Sequence, residues 1–465
     1  MSRTDANPMT ATERRAAFSL AGIFGLRMLG MFLILPVFAL YAATLPGGDN
    51  HTMVGLALGM YGLTQAVLMI PFGIASDRFG RKPVIIAGLL IFALGSFLAA
   101  SADDLWGVLF GRALQGAGAI SAAVTALLAD LTREEKRTQA MAMIGSTIGL
   151  AFAFSLAASP VFYRWIGVPG MFALTGVLAL LAILVVKFVT PNPGKTAFHS
   201  DAETNPARLK DVLRQPELLR LNWGIFALHA AQMAMFIIVP FALVDGGLDA
   251  EHHWQVYLPV LLGSLVILVP AIIYGEKHGG LKKVFVAAIA LMLVAQIGLA
   301  FAVLSHSMHA FWGVVAALFA YFIAFNILEA SLPSLVSKIA PPEAKGTAMG
   351  VYNTSQALGL FFGGAAGGWL AQNQGFSMVF AFCAGLIAVW LVLAVRMTPP
   401  PRVKTQMFHI GKISAEEAQR LATRLTVFTG VEAVTVLPEE GSVLLKVAQT
   451  GWDEEGIRHL LQGGN

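Results

Sequence analysis

Few residues in this 465-residue chain can hold a charge or pass a proton away from water, and their spacing is informative. Asp77, Arg78, Arg81 and Lys82 crowd into one short stretch with Gly73 and Gly80, between two long apolar runs. The chemistry open to such a group is ion pairing and hydrogen bonding to backbone. Gly80 supplies the tight backbone of an immediate turn. Arg78, Arg81 and Lys82 mark a cytoplasmic loop. Asp77 contributes nothing to orientation, so it calls for a partner.

Other charges lie inside apolar runs, where each costs free energy to insert and is a functional candidate by default. Arg112 sits in Arg-Ala-Leu-Gln-Gly-Ala-Gly with Gln115, Gly116 and Gly118. Close helix packing explains those glycines but not a buried guanidinium. Glu329 is the carboxylate set deep in a run, with Asn326 one helical turn before it and Tyr321 about two turns before it. It reads either as a protonated structural residue or as a coupling carboxylate. His229 with Gln232, and Asn353 with Gln356, form further pairs at i, i+3; Arg27 and Gln65 complete the set. Each alone reads as a helix–helix hydrogen bond. Together they suggest a polar central cavity walled by Met28, Met31, Phe72, Met233, Phe236 and Phe325. Arg27, Arg112 and His229 are the groups expected to modulate Glu329.

The elements that position these residues follow from composition. The chain is 57% hydrophobic and 12% charged, with mean hydropathy +0.71. A soluble domain carries about 25% charged residues, so most of this chain belongs in lipid. Runs of about 20 apolar residues cross a bilayer as helices. About twelve are present, near 17–44, 53–75, 84–102, 105–129, 139–163, 168–190, 218–244, 254–275, 284–304, 310–339, 346–373 and 376–397. The first is read as an uncleaved span. The net charge of +4 is not a nucleic-acid signature, because the bases sit between spans. One set of connections holds Arg78, Arg81, Lys82, Arg133, Lys136, Arg137, Lys195, Arg208, Lys210, Arg214, Lys277, Lys282, Lys283, Lys338 and Lys345. The opposite set holds Asp49, Asp103, Asp104, Asp245, Glu251 and His306, with Arg164 its one clear base. That asymmetry places both termini in the cytoplasm. The single cysteine, Cys383, excludes an intramolecular disulfide.

The chain divides into 1–190, a linker with a short surface helix at 191–216, 217–397, and a polar tail at 406–462. The two long segments repeat. Pro71, Asp77, Arg78 and Gly80 are echoed at the same spacing by Pro270, Glu276, Lys277 and Gly279, and Asp130–Met141 more weakly by Ser337–Met349. Parallel repeats place a site between the halves near the midplane. The tail reads strand, helix, strand, turn at Pro438-Glu439-Glu440-Gly441, strand, helix. That order fits a small α+β ferredoxin-like domain missing a last strand.

The stretch from Gly73 to Lys82 resembles the loop between helices 2 and 3 of the major facilitator superfamily, with its Gly-x-x-x-Asp-x-x-Gly-Arg-Lys pattern. Residues 25–32, 61–67, 324–330 and 345–352, with the tail, are similar to an inner-membrane member of its drug:proton antiporter family. The resemblance implies an all-α membrane fold of 12 transmembrane helices in two six-helix halves. It implies a proton-coupled secondary transporter of a small amphiphilic or drug-like molecule, working by alternating access, with efflux the expected direction. It further implies that Asp77 meets the start of the eleventh span near Ala344–Thr347, that Arg81 pairs with Asp130, and that Arg112 takes part in proton coupling. The fifth span departs from the antiporter pattern, with Ala158-Ser159-Pro160 where Gly-Pro is expected. An uncoupled facilitator and a membrane sensor signalling through its tail are the alternatives.

No nucleophile–base set and no metal-ligand spacing is present, so neither an enzyme nor a cofactor is expected. The tail also resembles heavy-metal-associated domains, but it has no cysteine, and His409 and His459 do not replace the missing thiolates. Instead it is expected to dock on basic cytoplasmic loops through Glu416, Glu417, Glu439 and Glu440, or to pair with a second copy through its free strand edge.

Overall fold

A computed structural model describes residues 8–193, 206–277, 280–304, 308–341, 344–399, 403–411, 413–438, 441–448 and 451–462. Lys195 and most of the linker, Gly279, His306, Glu439 and Glu440, with the side chains of Glu276, Lys277 and His409, lie outside that description.

The membrane part begins with α1 (Ala11–Phe32), started by a Thr10–Glu13 capping box, and α2 (Leu35–Ala42) continues it past a break ahead of Pro36. Next come α3 (His51–Phe79), capped by Asn50, and α4 (Arg81–Ala100). Gly80 separates them at φ 92°, a conformation L side chains avoid. Helices α5 (Leu105–Ala117) and α6 (Ser121–Leu131) make one crossing, interrupted at Gly118. The 51-residue α7 (Glu134–Leu184) bends at Gly167, φ 62°, ahead of Pro169, and runs into a π-turn at Val185–Val189. It therefore crosses twice. The short α8 (Leu209–Arg214) follows, with Val212 buried. Then come α9 (Pro216–Asp245), α10 (Trp254–Lys277), α11 (Leu281–Ala302), α12 (Met308–Ile339), α13 (Lys345–Gln374) and α14 (Phe376–Val395).

By length and apolarity alone, 10 helices qualify to cross a membrane among the described residues. The doubled α7 and the glycine-rich α13, which falls below that apolarity, bring the crossings to the twelve of a two-halved bundle. The glycines of α13 explain its composition. Gly359 and Gly363 press on the backbone of α9 at Phe226 and Ala230, while Gly364 and Gly368 press on α3 at Gly55 and His51. A Cβ on Gly59 of α3 would stand 2.8 Å from the Phe361 carbonyl oxygen. Small residues let two backbones touch where side chains would hold them apart.

This glycine seam joins the halves at the end remote from Gly80. There His51 N also donates to Gln372 Oε1 at 2.7 Å, and Arg164 pairs with Glu251 at 3.5 Å. An aromatic layer bridges the halves deeper in. Phe152 of α7 lies 5.0 Å from Phe32 of α1 and 5.5 Å from Phe325 of α12, centroid to centroid.

The tail has the order β1 (Val403–His409), α15 (Ala415–Leu425), β2 (Val431–Leu437), β3 (Ser442–Ala448), α16 (Glu454–Gln462). Its antiparallel sheet is ordered β1-β3-β2, leaving an outer edge on both β1 and β2. Val443, Leu445 and Val447 of β3 bury into a core with Leu425 and Ile457. By strand alternation Ser442, Leu444 and Lys446 point to the other face. That face meets the membrane part: Lys446 Nζ donates to the carbonyls of Lys338 and Ala340, at 3.0 and 2.8 Å, where α12 ends. Among the described residues the contact is thus a base on a helix carboxyl end, where carbonyls carry partial negative charge; of the acids expected to dock, Glu439 and Glu440 lie outside the described residues. Glu416 binds Arg420 in its own helix, and Glu417 accepts from the Ser414 backbone N–H and hydroxyl as a cap.

Candidate functional site

The turn at Gly80 gathers one set of candidates. Arg81 donates from Nε to Asp130 Oδ2 at 3.2 Å, from Nη1 to Ser76 Oγ at 2.9 Å, and also pairs with Asp77. Lys82 donates to the Thr190 carbonyl at 2.6 Å, tying α4 to the end of the sixth crossing. Arg78 lies over the Phe79 ring, with its guanidinium carbon 5.5 Å from the centroid. Among the described residues Asp77 is half exposed and pairs with Arg81 alone. It makes no bond to the start of α13, so the expected link between the halves is not made in this state. A Cβ on Gly73 would meet the Ala122 Cβ at 3.5 Å, an ordinary contact, so packing does not demand a glycine there.

Glu13, absent from the candidates read from spacing, is a further partner at this end. It is buried, and it accepts from the Arg133 backbone at 3.0 Å, Nε at 2.8 Å and Nη2 at 3.0 Å. The capping box Thr10-x-x-Glu13 was the available signal.

The intramembrane candidates fall into two groups. In the first half, Arg27 of α1 reaches Ser121 of α6 at 3.0 Å and Gln65 of α3 at 3.4 Å. Arg112 of α5 donates to Gln115 Oε1 at 3.0 Å and to the Leu58 carbonyl at 3.3 Å. Gln115 in turn donates to Ser96 at 2.8 Å. Both guanidinium groups share the ring of Tyr61, 5.7 and 5.0 Å from its centroid. Sequence spacing gave no warning of Ser96, Ser121 or the shared ring, because these partners lie on other helices.

In the second half, His229 of α9 and Gln356 of α13 meet at 2.7 Å, Nε2 to Nε2. Nδ1 of His229 faces the Ile225 carbonyl at 3.2 Å. A carbonyl only accepts, so Nδ1 carries the proton and Nε2 receives the Gln356 amide. Glu329 Oε2 lies 3.8 Å from the same Nε2, and among the described residues it has no hydrogen-bond partner. Of the three groups expected to modulate Glu329, His229 is therefore its neighbour, while Arg27 and Arg112 belong to the other cluster.

The polar stripe on α12 has split partners. Asn326 donates to Ser264 of α10 at 2.8 Å, while Glu329 turns to α9. Tyr321 is fully buried, stacked 5.8 Å from Phe325. Phe236 is also fully buried, 6.4 Å from the Tyr257 ring, and is packing rather than an open wall. Met28 and Gln232 are buried; Gln232 Oε1 has no partner among the described residues. Asn353 is half-buried, with no hydrogen bond described. A cleft of about 510 Å³ between α1 and α7, lined by Phe18, Gly22, Gln139, Met143 and Ser146 among others, contains none of the candidates.

Two six-crossing halves, joined at one end and carrying polar clusters at mid-depth, define a class of membrane carrier. The sequence profile of the Major Facilitator Superfamily matches residues 20–364 and 253–430, and the chain belongs to that family of transporters. It is a multi-pass membrane protein. It is 44% identical to the inner membrane transport protein YajR of Escherichia coli, over 94% of this chain and 95% of that one. It is 30% identical to the multidrug resistance protein MdtH of Proteus mirabilis, over 74% and 84%. Among solved structures, it superposes on a bacterial homolog of the human lysosomal transporter Spinster with TM-score 0.66 at 13% identity, over 84% and 98% of the chains. The human organic anion transporter MFSD10 gives 0.59 at 19%, over 83% and 100%.

Proposed function

We propose that this chain is a proton-coupled secondary transporter that exports a small amphiphilic molecule across an inner membrane by alternating access. The observation that carries the coupling is Glu329: a carboxylate with 34% of its side-chain surface open and no hydrogen bond to Oε2, beside an imidazole whose Nε2 is occupied. Oε2 itself is shut off from solvent, so its proton partner is its neighbour: turning the Gln356 amide would free His229 Nε2, 3.8 Å away, to exchange a proton with it.

In this reading residues 1–190 and 217–397 are the moving bodies, 191–216 joins them, and 406–462 is a cytoplasmic appendage. The basic connections face the cytoplasm, as does the Gly80 turn. The state described is joined at the periplasmic seam. In the opposite state Asp77 leaves its exposed position for the amino end of α13, whose partial positive charge stabilises a carboxylate. The likeness to YajR and MdtH supports both transport and the membrane assigned.

The test is flux in proteoliposomes with and without an imposed proton gradient. Gradient-driven flux lost in Glu329→Gln is expected. Equal flux with and without the gradient identifies an uncoupled facilitator and overturns the coupling.

A further inference from the structure

In the membrane interior of the first half, among the described residues, two arginines lie without a carboxylate beside them. Arg27 keeps 2% of its surface and Arg112 keeps 1%, and among the described residues neither pairs with a carboxylate. Their partners are a hydroxyl, two side-chain amides and a backbone carbonyl, and Nε of each has none among the described residues. Tyr61 lies by both, its own hydroxyl also without a partner among the described residues. A buried ion with neutral partners alone carries an uncompensated desolvation penalty. An anion arriving between the helices relieves it.

The two arginines differ in how firmly they are held. Arg112 is bound by Gln115, which Ser96 orients in turn, and by main chain that cannot turn away. Arg27 is bound by the Ser121 hydroxyl, which rotates, and by Gln65 at 3.4 Å, the long end of hydrogen-bond range. Gln65 is itself half-buried. Arg27 is the guanidinium whose partners exchange most readily for a carboxylate, which it can grip with two parallel bonds.

Its depth suits a carrier site. Arg27 lies five residues before Phe32 on α1, and Glu329 lies four after Phe325 on the oppositely directed α12; both rings touch Phe152. The two charged residues, one from each half, thus lie on the same side of one aromatic layer. A ligand there has rings above it and a cation at its flank.

We infer that the molecule carried is an organic anion with an apolar body, its charge held by Arg27. This deepens the transport reading and rests on it for the word carried; binding itself is measured without transport.

The experiment uses the full chain in a nonionic detergent and three probes sharing one ring system: 1-naphthaleneacetate, its neutral amide, and 1-naphthylmethylammonium. Thermal unfolding is followed at saturating concentration. The carboxylate is expected to raise the midpoint by a few degrees, and the amide and ammonium to do less. Gln65→Glu places a carboxylate beside Arg27. It is expected to melt above the parent and to lose the response to 1-naphthaleneacetate. Arg27→Lys keeps a weakened response and Arg27→Gln none. Absence of a carboxylate-specific shift in the parent, or its persistence in Gln65→Glu, overturns the inference. The two readings fail separately. Gradient-driven flux of the ammonium probe would leave transport standing and remove the anion. A carboxylate-specific shift without gradient-driven flux would do the reverse.

Discussion

Arg81 Nε stands 3.2 Å from Asp130 Oδ2, and those side chains keep 2% and 0% of their surface, whereas Asp77, the other acid on Arg81, keeps 51%. One guanidinium therefore holds one permanent partner and one that is free to leave. Removing a member of a buried pair strands the other charge. Asp130→Ala is expected to lower stability by on the order of 3 kcal/mol, read as an earlier thermal unfolding transition.

Asp77→Asn removes an exposed contact, so its cost to stability is expected to be about 1 kcal/mol or less. Its effect falls on populations. Transport is expected to drop while the melting point holds, and a cysteine placed near the His51–Gln372 contact is expected to become less reactive. Unchanged reactivity there would remove Asp77 from the latch.

Glu329→Gln keeps the shape of the site and removes the ionisable oxygen. Substrate exchange without a gradient is expected to persist, and accumulation driven by a gradient to vanish. A mutant with the parent's pH profile shows that another group carries the proton.

Gly363 and Gly364 are neighbours with different duties. Gly363 packs on Ala230 within one half, Gly364 on Gly55 across the two. Gly363→Leu is expected to destabilise the fold. Gly364→Leu is expected to leave it folded and to open the His51–Gln372 end, seen as faster labelling of a cysteine there.

Lys446→Ala removes an ammonium from two carbonyls at the end of α12. Hydrogen bonds of a charged group contribute about 1.5–3 kcal/mol, so the tail is expected to undock, with faster proteolysis near residues 397–403 and transport retained at an altered rate. Within the tail, the Ser414 backbone N–H and hydroxyl hold the Glu417 carboxylate below its usual range. A depressed acid stabilises above its unfolded value, and that contribution is lost as pH falls through the folded one. Exchange protection at the start of α15 is expected to fall on acidification, and Glu417→Gln to lose it at neutral pH.

The crossings were legible because hydropathy and basic loops report on each segment separately. The tail's order was legible from strand alternation and the Ser414 cap. Partners across helices were not. His229 and Gln356 are 127 residues apart, and helical spacing pairs each with a neighbour on its own turn instead. Phe236 reads as a cavity wall by type, yet packing turns it to Tyr257. The tail's acids drew attention to themselves, while Lys446, one base in a strand, gave no sign that α12 ends beneath it.

The seam between α3 and α13 has a kinetic side. Interlocked side chains must change rotamer, one after another, before two helices part. Gly55, Gly59 and Gly364 offer backbone against backbone, with nothing to disentangle. Such a joint can slide and rock with little friction, so the time needed to part it is set by the weight of contacts elsewhere, the aromatic layer above all. Filling the seam with larger residues would change how fast this protein turns over even where it left both end states equally populated.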